Sequence, residues 1–335
     1  MLARGAPARH STDERAGGTT SVRKMSGPLN ADEARDDPGP TTPGPVLELA
    51  ASRVAQVGAG SVRRALPQRA RRTIGAWCFV DHFGPATNAV SIGPHPHIGL
   101  HTVAWLLEGE AVHHDSLGSE QPLRPGQLNL MSAGHGIAHA EEGSNPPPRP
   151  RPLTHGAQLW VAQPESTRDG PPAFEHHGEL PQVELGATTA TVLLGGLGDV
   201  RSPARADTPI VGIDLDGRAG TAVLPLEPAF EHGVVVLDGM IEIDDEIITP
   251  GVLAYLGTGR DELVVDVEAK ARVLVLGGEP FPDPIHMWWN FVGPSRDAID
   301  EARAAWQAGD EDRFAPVASH LDRIDAPRTP WSSTT

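Results

Sequence analysis

Residues 95–118, HPHIGLHTVAWLLEGEAVHHDSLG, and residues 123–142, LRPGQLNLMSAGHGIAHAEE, decide the fold of this chain. In both stretches, short apolar runs end at glycine or at Pro-Gly, as strands do when tight turns join them. Similar runs follow one another along most of the chain. Their spacing predicts an all-β sandwich or barrel.

The second half of the chain repeats this pattern. Residues 234–256, VVVLDGMIEIDDEIITPGVLAYL, give a strand, a glycine turn, a strand and a Pro-Gly turn before the next strand. Residues 103–132 follow the same order, which predicts a duplicated β-domain. Near the C-terminus, residues 295–310, SRDAIDEARAAWQAGD, instead predict a helix with Ser295 as its N-cap.

Charge and composition limit the partners of the protein. The chain has 44 acidic and 27 basic residues and a formal net charge of -17, so its surface repels nucleic acid and anionic membranes, and we expect neither as a partner. No apolar run approaches the roughly 20 residues that span a bilayer, and the first residues lack the apolar core of a secretory signal. We therefore expect a cytoplasmic protein.

Two further features follow from composition. Residues 1–44 are rich in Gly, Pro, Ser, Thr, Arg and Asp without apolar periodicity, which predicts a disordered tail. Cys78 is the single cysteine, so the chain cannot form an internal disulfide, and its apolar neighbours predict a buried small side chain. The 15 histidines are the remaining pool of metal-binding or proton-transferring groups, and several lie between positions 95 and 141.

Four residues in this region predict a metal site. His95 and His97 stand two positions apart, as do His139 and Glu141, so each pair points to one face of a strand. A single strand histidine is usually a satisfied or solvent-facing side chain, but two such pairs on neighbouring strands can converge. Three imidazoles and one carboxylate suit iron, manganese, nickel, copper or zinc, and an octahedral ion would keep two positions open for water or substrate.

Several separated blocks resemble the pirin family, a branch of the bicupin superfamily. They are the two stretches quoted first, residues 62–85, VRRALPQRARRTIGAWCFVDHFGP, and residues 287–299, MWWNFVGPSRDAI. The resemblance implies two cupin barrels of the double-stranded β-helix, or jelly-roll, type, followed by a short C-terminal helix. It also implies one iron(II) ion, Fe(2+), in the first barrel, with His95, His97, His139 and Glu141 as its ligands.

With this resemblance the chain divides into four parts. We expect the disordered tail at 1–44, an N-terminal metal-binding cupin domain at 45–175, a C-terminal cupin domain at 176–285, and a C-terminal helix and tail at 286–335. The second barrel offers His232 without a partner histidine two residues away. It is therefore expected to be metal-free and structural.

The sequence departs from the family pattern at two positions. His101 stands where the general cupin motif HxHxxxE places a carboxylate, and it shares the parity of His95 and His97. It is interpreted as a fifth donor, a hydrogen-bond partner of a ligand or a proton carrier. His135 replaces the arginine of the family motif AGRG, near the cavity mouth by analogy, where it would change the preference for substrate charge. An inert role is the alternative for both.

The function implied by the resemblance is oxygenative ring cleavage. Some pirins are similar to quercetin 2,3-dioxygenases, which bind a flavonol through its 3-hydroxyl, deprotonate it, and cleave it with dioxygen and loss of carbon monoxide. Glu141 is the first candidate for the base and His101 the second. Two other hypotheses stay open: a regulator whose iron oxidation state controls binding to a protein partner, and a structural bicupin with a vestigial metal site.

Overall fold

The computed structural model describes residues 44–57, 60–87, 91–143 and 153–332. The tail predicted at residues 1–44 lies, except for Gly44, outside the described residues. The described chain is almost entirely strand and turn.

Eleven of the first twelve strands form the two sheets of the N-terminal domain. The remaining one, the first strand of the chain, belongs to the C-terminal sheet. In chain order the twelve are β1 (Pro45–Ala51), β2 (Arg53–Val57), β3 (Gly60–Leu66), β4 (Trp77–Ala86), β5 (Ser91–His97), β6 (Leu100–Glu108), β7 (Ala111–Asp115), β8 (Glu120–Leu123), β9 (Leu128–Ser132), β10 (Ile137–Glu142), β11 (Thr154–Ala162) and β12 (Ala173–His177). One antiparallel sheet has the order β5-β10-β7-β8, and the other has the order β12-β9-β6-β11-β4-β3-β2. Neither sheet closes on itself.

The C-terminal domain is built on one large sheet. Its strands are β13 (Gln182–Leu185), β14 (Thr188–Leu197), β15 (Val200–Arg201), β16 (Ile210–Pro225), β17 (Glu231–Asp238), β18 (Ile241–Ile243), β19 (Glu246–Ile248), β20 (Val252–Gly257) and β21 (Glu262–Gly278). The path β1-β20-β17-β21-β16-β14-β13 curls around a core of valine, leucine and isoleucine, with β15, β18 and β19 attached at its sides. Buried and exposed residues alternate along the first part of β21, so one face of this strand packs on that core.

The chain ends with a hairpin, β22 (His286–Trp288) and β23 (Phe291–Gly293), and with the helix α1 (Arg296–Ala308). Ser295 is its N-cap, accepting a hydrogen bond from the backbone N–H of Ala298 at 3.2 Å, as predicted. Ile299, Ala302 and Trp306 form its buried face. The expectation of an all-β protein with one short helix is confirmed for the described residues, and none of these forms a helix long and apolar enough to cross a membrane.

The two domains exchange their ends. Strand β1 pairs with β20, so the first described segment belongs to the C-terminal sheet, although the boundary predicted at residue 45 assigns it to the N-terminal domain. In the other direction, Phe291 of β23 bridges to Ile98, and the hairpin and helix share a hydrophobic core with N-terminal strands. Residues 286–332 thus pack on the domain that carries the histidines.

Direct hydrogen bonds also join the domains. The indole N–H of Trp77 donates to the carbonyl of Val211 at 3.0 Å, and the backbone N–H of Gly75 donates to the Glu231 carboxylate at 2.6 Å. A core of fully buried side chains, including Trp77 and Leu276, continues across the boundary. The prediction of a buried Cys78 is confirmed, since its side chain has no exposed surface.

Residues 310–332, called here the C-terminal strap, cross the outer side of the histidine-bearing sheet. The backbone N–H of Ile324 donates to the carbonyl of Pro94 at 2.9 Å, and the Arg313 side chain donates to the carbonyl of His135 at 3.0 Å. Ser319 and His320 both contact the Glu142 carboxylate. The strap therefore fastens β5 and β10 together from outside.

Candidate metal centre

Strands β5 and β10 place three histidines on one face of the smaller sheet. His95 and His97 are separated by Pro96 on β5, and strand alternation sends both imidazoles to the same side. His139 on β10 lies directly opposite His95 in the antiparallel register. The structure therefore brings together the three histidines of the two predicted pairs.

The three imidazoles form a compact group. One nitrogen from each lies within 4.8 Å of the others, and the Nε2 atoms of His97 and His139 are 3.1 Å apart. Their rings are buried, with at most 2% of each residue exposed. Among the described residues this is the one group of three or more histidine, cysteine, aspartate or glutamate side chains with the spacing of metal ligands.

Backbone carbonyls fix the orientation of two of these rings. His95 Nδ1 lies 2.9 Å from the carbonyl oxygen of Gly93, and His97 Nδ1 lies 2.9 Å from that of Asn290. A carbonyl only accepts, so each Nδ1 must carry the proton and each Nε2 keeps its lone pair. Such partners set the tautomer of metal-binding histidines and hold their rings in place.

A side-chain relay orients the third ring. His139 Nδ1 lies 3.4 Å from His113 Nδ1, and His113 Nε2 lies 3.1 Å from the Asp115 carboxylate. His113 also stacks on Phe174 with ring centroids 4.3 Å apart. Burial by itself would raise the pKa of Asp115, but hydrogen bonds from His113 and Ser119 outweigh it and hold that pKa below its usual value. The role of His113 was missed from the sequence, where His-His-Asp at 113–115 was the available signal.

The electrostatics of the group fit a metal ion. Burial lowers the pKa of His95 to about 4 and holds the pKa values of His97 and His139 well below the ordinary range, so all three are neutral donors near pH 7. The lone pairs on Nε2 of His97 and His139 then face each other across 3.1 Å. A cation held by these two nitrogens would relieve this contact.

Glu141 lines the same cavity but stands outside the compact group of nitrogens. It follows His139 by two positions on β10, with a bulge in the pairing to β5 between them. Burial raises the pKa of Glu141 to about 7. The carboxyl group is thus half-protonated near neutral pH, ready either to bind a cation or to exchange a proton.

If Glu141 is the fourth ligand, metal affinity will depend on its proton. Binding must displace that proton below pH 7, so we expect the affinity for Zn²⁺ to rise about tenfold per pH unit between pH 5.5 and 7 and to level off above. Titration calorimetry checks this, with Glu141→Gln as the variant that removes the slope. A flat profile in the unaltered protein would show that Glu141 does not bind the metal.

The same pKa has the opposite consequence for the metal-free fold. The folded carboxyl, with a pKa of about 7, holds its proton more tightly than an unfolded glutamate near 4.5. Stability is therefore lost as pH rises through the window from 4.5 to 7, because ionisation favours the unfolded chain there.

A cavity of about 450 Å³ opens beside the histidines, between the two sheets of the N-terminal domain. Its lining joins apolar side chains, including Phe79, Met131, Trp160 and Phe174, with about as many polar ones. Phe79 and Trp160 stack with centroids 4.0 Å apart, and Trp160 also makes a T-shaped contact with His97. A cavity that combines an apolar wall with polar groups is typical of small-molecule sites.

The structure does not bring His101 into this cavity. On β6 the even-numbered residues Thr102 and Ala104 line it, whereas His101 faces the other way and is fully buried. Its Nδ1 lies 2.8 Å from Ser132 Oγ and its Nε2 lies 3.0 Å from the Asp207 carboxylate. Parity with His95 did not carry over because the chain turns at Gly99, with φ of 65°, between β5 and β6.

Two other histidines lie apart from the centre. His135 is exposed, its Nδ1 3.1 Å from the carbonyl oxygen of Gly170, and it does not line the cavity. No contact between His135 and the cavity therefore supports the predicted effect on the preference for substrate charge. His232, in the C-terminal domain, is buried and packs beside Gly277.

Comparison with known families matches both halves of the chain. The family model described as Pirin matches residues 59–161, and the one described as Pirin C-terminal cupin domain matches residues 211–314. A Pseudomonas aeruginosa protein named as a candidate quercetin 2,3-dioxygenase is 48% identical over 85% of this chain and 91% of its own length. A pirin-like protein of Caulobacter vibrioides is 35% identical over 77% of this chain and 92% of its own length.

A solved structure shares the whole architecture. The crystal structure of a quercetin 2,3-dioxygenase from Acinetobacter baumannii superposes with a TM-score of 0.81 and 42% sequence identity. The match covers 86% of this chain and 97% of the other. The two-cupin fold expected from the sequence is thereby confirmed.

Proposed function

Because this chain belongs to the pirin family, we propose that it is a metal-dependent dioxygenase of flavonols such as quercetin, or of related enolic or catecholic compounds. The observation that carries the proposal is the group of three neutral histidines at the wall of a partly apolar cavity. The names of two relatives, both above 40% identity, support the substrate class.

We propose His95, His97, His139 and Glu141 as the ligands of one iron(II) ion. Imidazole and carboxylate donors also accept zinc, manganese, nickel or copper, so the preference for iron rests on the redox chemistry that dioxygen requires. When bound, the metal would supply polarisation of a substrate oxygen and electron exchange with dioxygen. The donor set fits this role because its imidazoles are uncharged and already oriented by Gly93, Asn290 and His113.

The residues of the chain would perform the remaining tasks. The apolar wall around Phe79 and Trp160 would bind the flat aromatic rings of the substrate and exclude water from them. The Glu141 carboxylate, as a ligand that can also accept a proton, would take the proton of the substrate hydroxyl. His101 faces the opposite side of β6, so Glu141 is the base in this proposal.

Oxygen consumption tests the proposal. Protein loaded with iron(II) under argon and then mixed with quercetin in aerated buffer is expected to consume oxygen, bleach the flavonol absorption and release one carbon monoxide per flavonol. Metal-free protein in the presence of a chelator is the control and should do none of these. The absence of turnover with every flavonol and catechol tried, while iron remains bound, would contradict the proposal. Oxidation-dependent binding to a protein partner would then favour the regulatory hypothesis.

A further inference from the structure

Asn290, which lies near the other end of the chain, lines the cavity and carries an unpaired polar side chain. It lies in the turn between β22 and β23 and is fully buried. Its backbone carbonyl holds His97 Nδ1 at 2.9 Å. Its side-chain oxygen and nitrogen have no hydrogen-bond partner among the described residues.

The turn that carries Asn290 is held firmly in an unfavourable conformation. Trp289 adopts φ of 55°, in the left-handed region that a bulky side chain rarely enters. The backbone N–H of Val292 donates to the carbonyl of Ile98 at 3.2 Å, and Gly99 leaves no room for a Cβ beside the carbonyl of Val292. Strain that the surroundings enforce in this way is concentrated at functional sites.

The other described asparagine shows what a satisfied amide looks like in this protein. Asn129 also lines the cavity, but its side-chain oxygen lies 2.7 Å from His176 Nδ1. A buried amide without a partner destabilises a fold, and replacement by an apolar group of similar size normally relieves that cost. The carboxamide of Asn290 makes no hydrogen bond to the described residues, so its donor and acceptor remain available to a bound molecule.

We propose that Asn290 is a ligand-binding residue of this cavity and recognises two neighbouring oxygens of the bound molecule. Its N–H would donate to a carbonyl or deprotonated hydroxyl oxygen, and its C=O would accept from an adjacent hydroxyl. The ligand class is thus a compound with a vicinal oxygen pair on a flat apolar ring, either a hydroxyketone edge or a catechol. This inference rests on the proposed function for its choice of ligand.

Binding to Asn290→Leu tests the inference without turnover. Protein loaded with redox-inert Zn²⁺ is titrated under argon with quercetin and, separately, with catechol, and quenching of tryptophan fluorescence reports binding near Trp160. We expect the affinity for both probes to fall at least tenfold. Zinc content should stay within twofold of the unaltered protein, because the backbone carbonyl that holds His97 is kept in the variant.

Thermal melting of the metal-free variants separates this role from a structural one. Asn290→Leu should raise Tm, whereas the matched change Asn129→Leu should lower it, because His176 loses its acceptor. Asn290→Asp keeps the shape of the side chain and removes the N–H donor, so it should also weaken binding at least tenfold. It serves as the test if the leucine variant does not fold.

Equal affinity of the unaltered protein and both Asn290 variants for catechol would overturn the inference, as would the absence of any binding by the unaltered protein. Loss of catechol affinity in the variants, in a protein that never consumes oxygen with a flavonol, would support the inference and reject the dioxygenase proposal. Oxygen consumption with a flavonol, together with unchanged catechol affinity in the variants, would support the dioxygenase proposal and reject the inference.

Discussion

The His97→Ala variant is expected to lose at least 100-fold in metal affinity and all oxygen consumption with quercetin. The Nε2 atom of His97 is 3.1 Å from that of His139, and its Nδ1 is anchored on the Asn290 carbonyl. Removing a partner outside the ligand set already costs about 10- to 100-fold in metal affinity, so removing a ligand should cost more.

Metal analysis and melting measure this loss independently of activity. Added metal should raise the Tm of the unaltered protein, since binding to the folded state alone stabilises it, and should leave the Tm of His97→Ala unchanged. His135→Ala is the control, because its ring is exposed and bonds only to the carbonyl of Gly170. A His97→Ala protein that purifies with a full complement of metal would refute the site.

Arg64→Met is expected to destabilise the protein by about 3–5 kcal/mol, which corresponds to a fall in Tm of roughly 10 °C. Arg64 and Asp81 are 1% and 4% exposed and form two parallel hydrogen bonds of 2.7 and 2.6 Å. The guanidinium also stacks over Phe79, with its carbon 4.3 Å from the ring centroid. The variant leaves the buried Asp81 carboxylate without this partner.

The pair Arg218 and Glu184 provides the comparison. Both side chains are more than half exposed, so solvent screens their attraction and Arg218→Met should cost less than about 1 kcal/mol. Urea unfolding of the two variants measures both values. A loss of less than 1 kcal/mol for Arg64→Met would mean that the buried pair is not required for stability.

The fold could be predicted in its repeating parts because strand alternation and turn residues are local signals. The pattern shared by residues 103–132 and 234–256 indicated two β-domains, and Ser295 marked the start of the helix. The exchange of chain ends could not be predicted in this way. The pairing of β1 with β20 depends on contacts between residues about 200 positions apart, which no local pattern encodes.

The site shows the same division between local and distant information. Strand parity predicted that His95 and His97 point to one side of a strand, as do His139 and Glu141. The structure brings the three histidines together because each pair lies within a single strand. The prediction that His101 faces the cavity was wrong, because strand alternation does not continue across the turn at Gly99 between β5 and β6. The involvement of Asn290 was not predicted, because it reaches the cavity from a hairpin 193 residues beyond His97.

The exchange of ends between the domains bears on how the protein is synthesised. When the histidine-bearing strands leave the ribosome, three later parts of the chain have not yet been translated. These are the strand β20, the Asn290 carbonyl that accepts from His97, and the strap that fastens β5 and β10. A nascent N-terminal half therefore has neither its full set of backbone partners nor an oriented His97. A metal ion bound by these histidines would therefore meet its oriented ligands only after residue 290 and the strap have been translated.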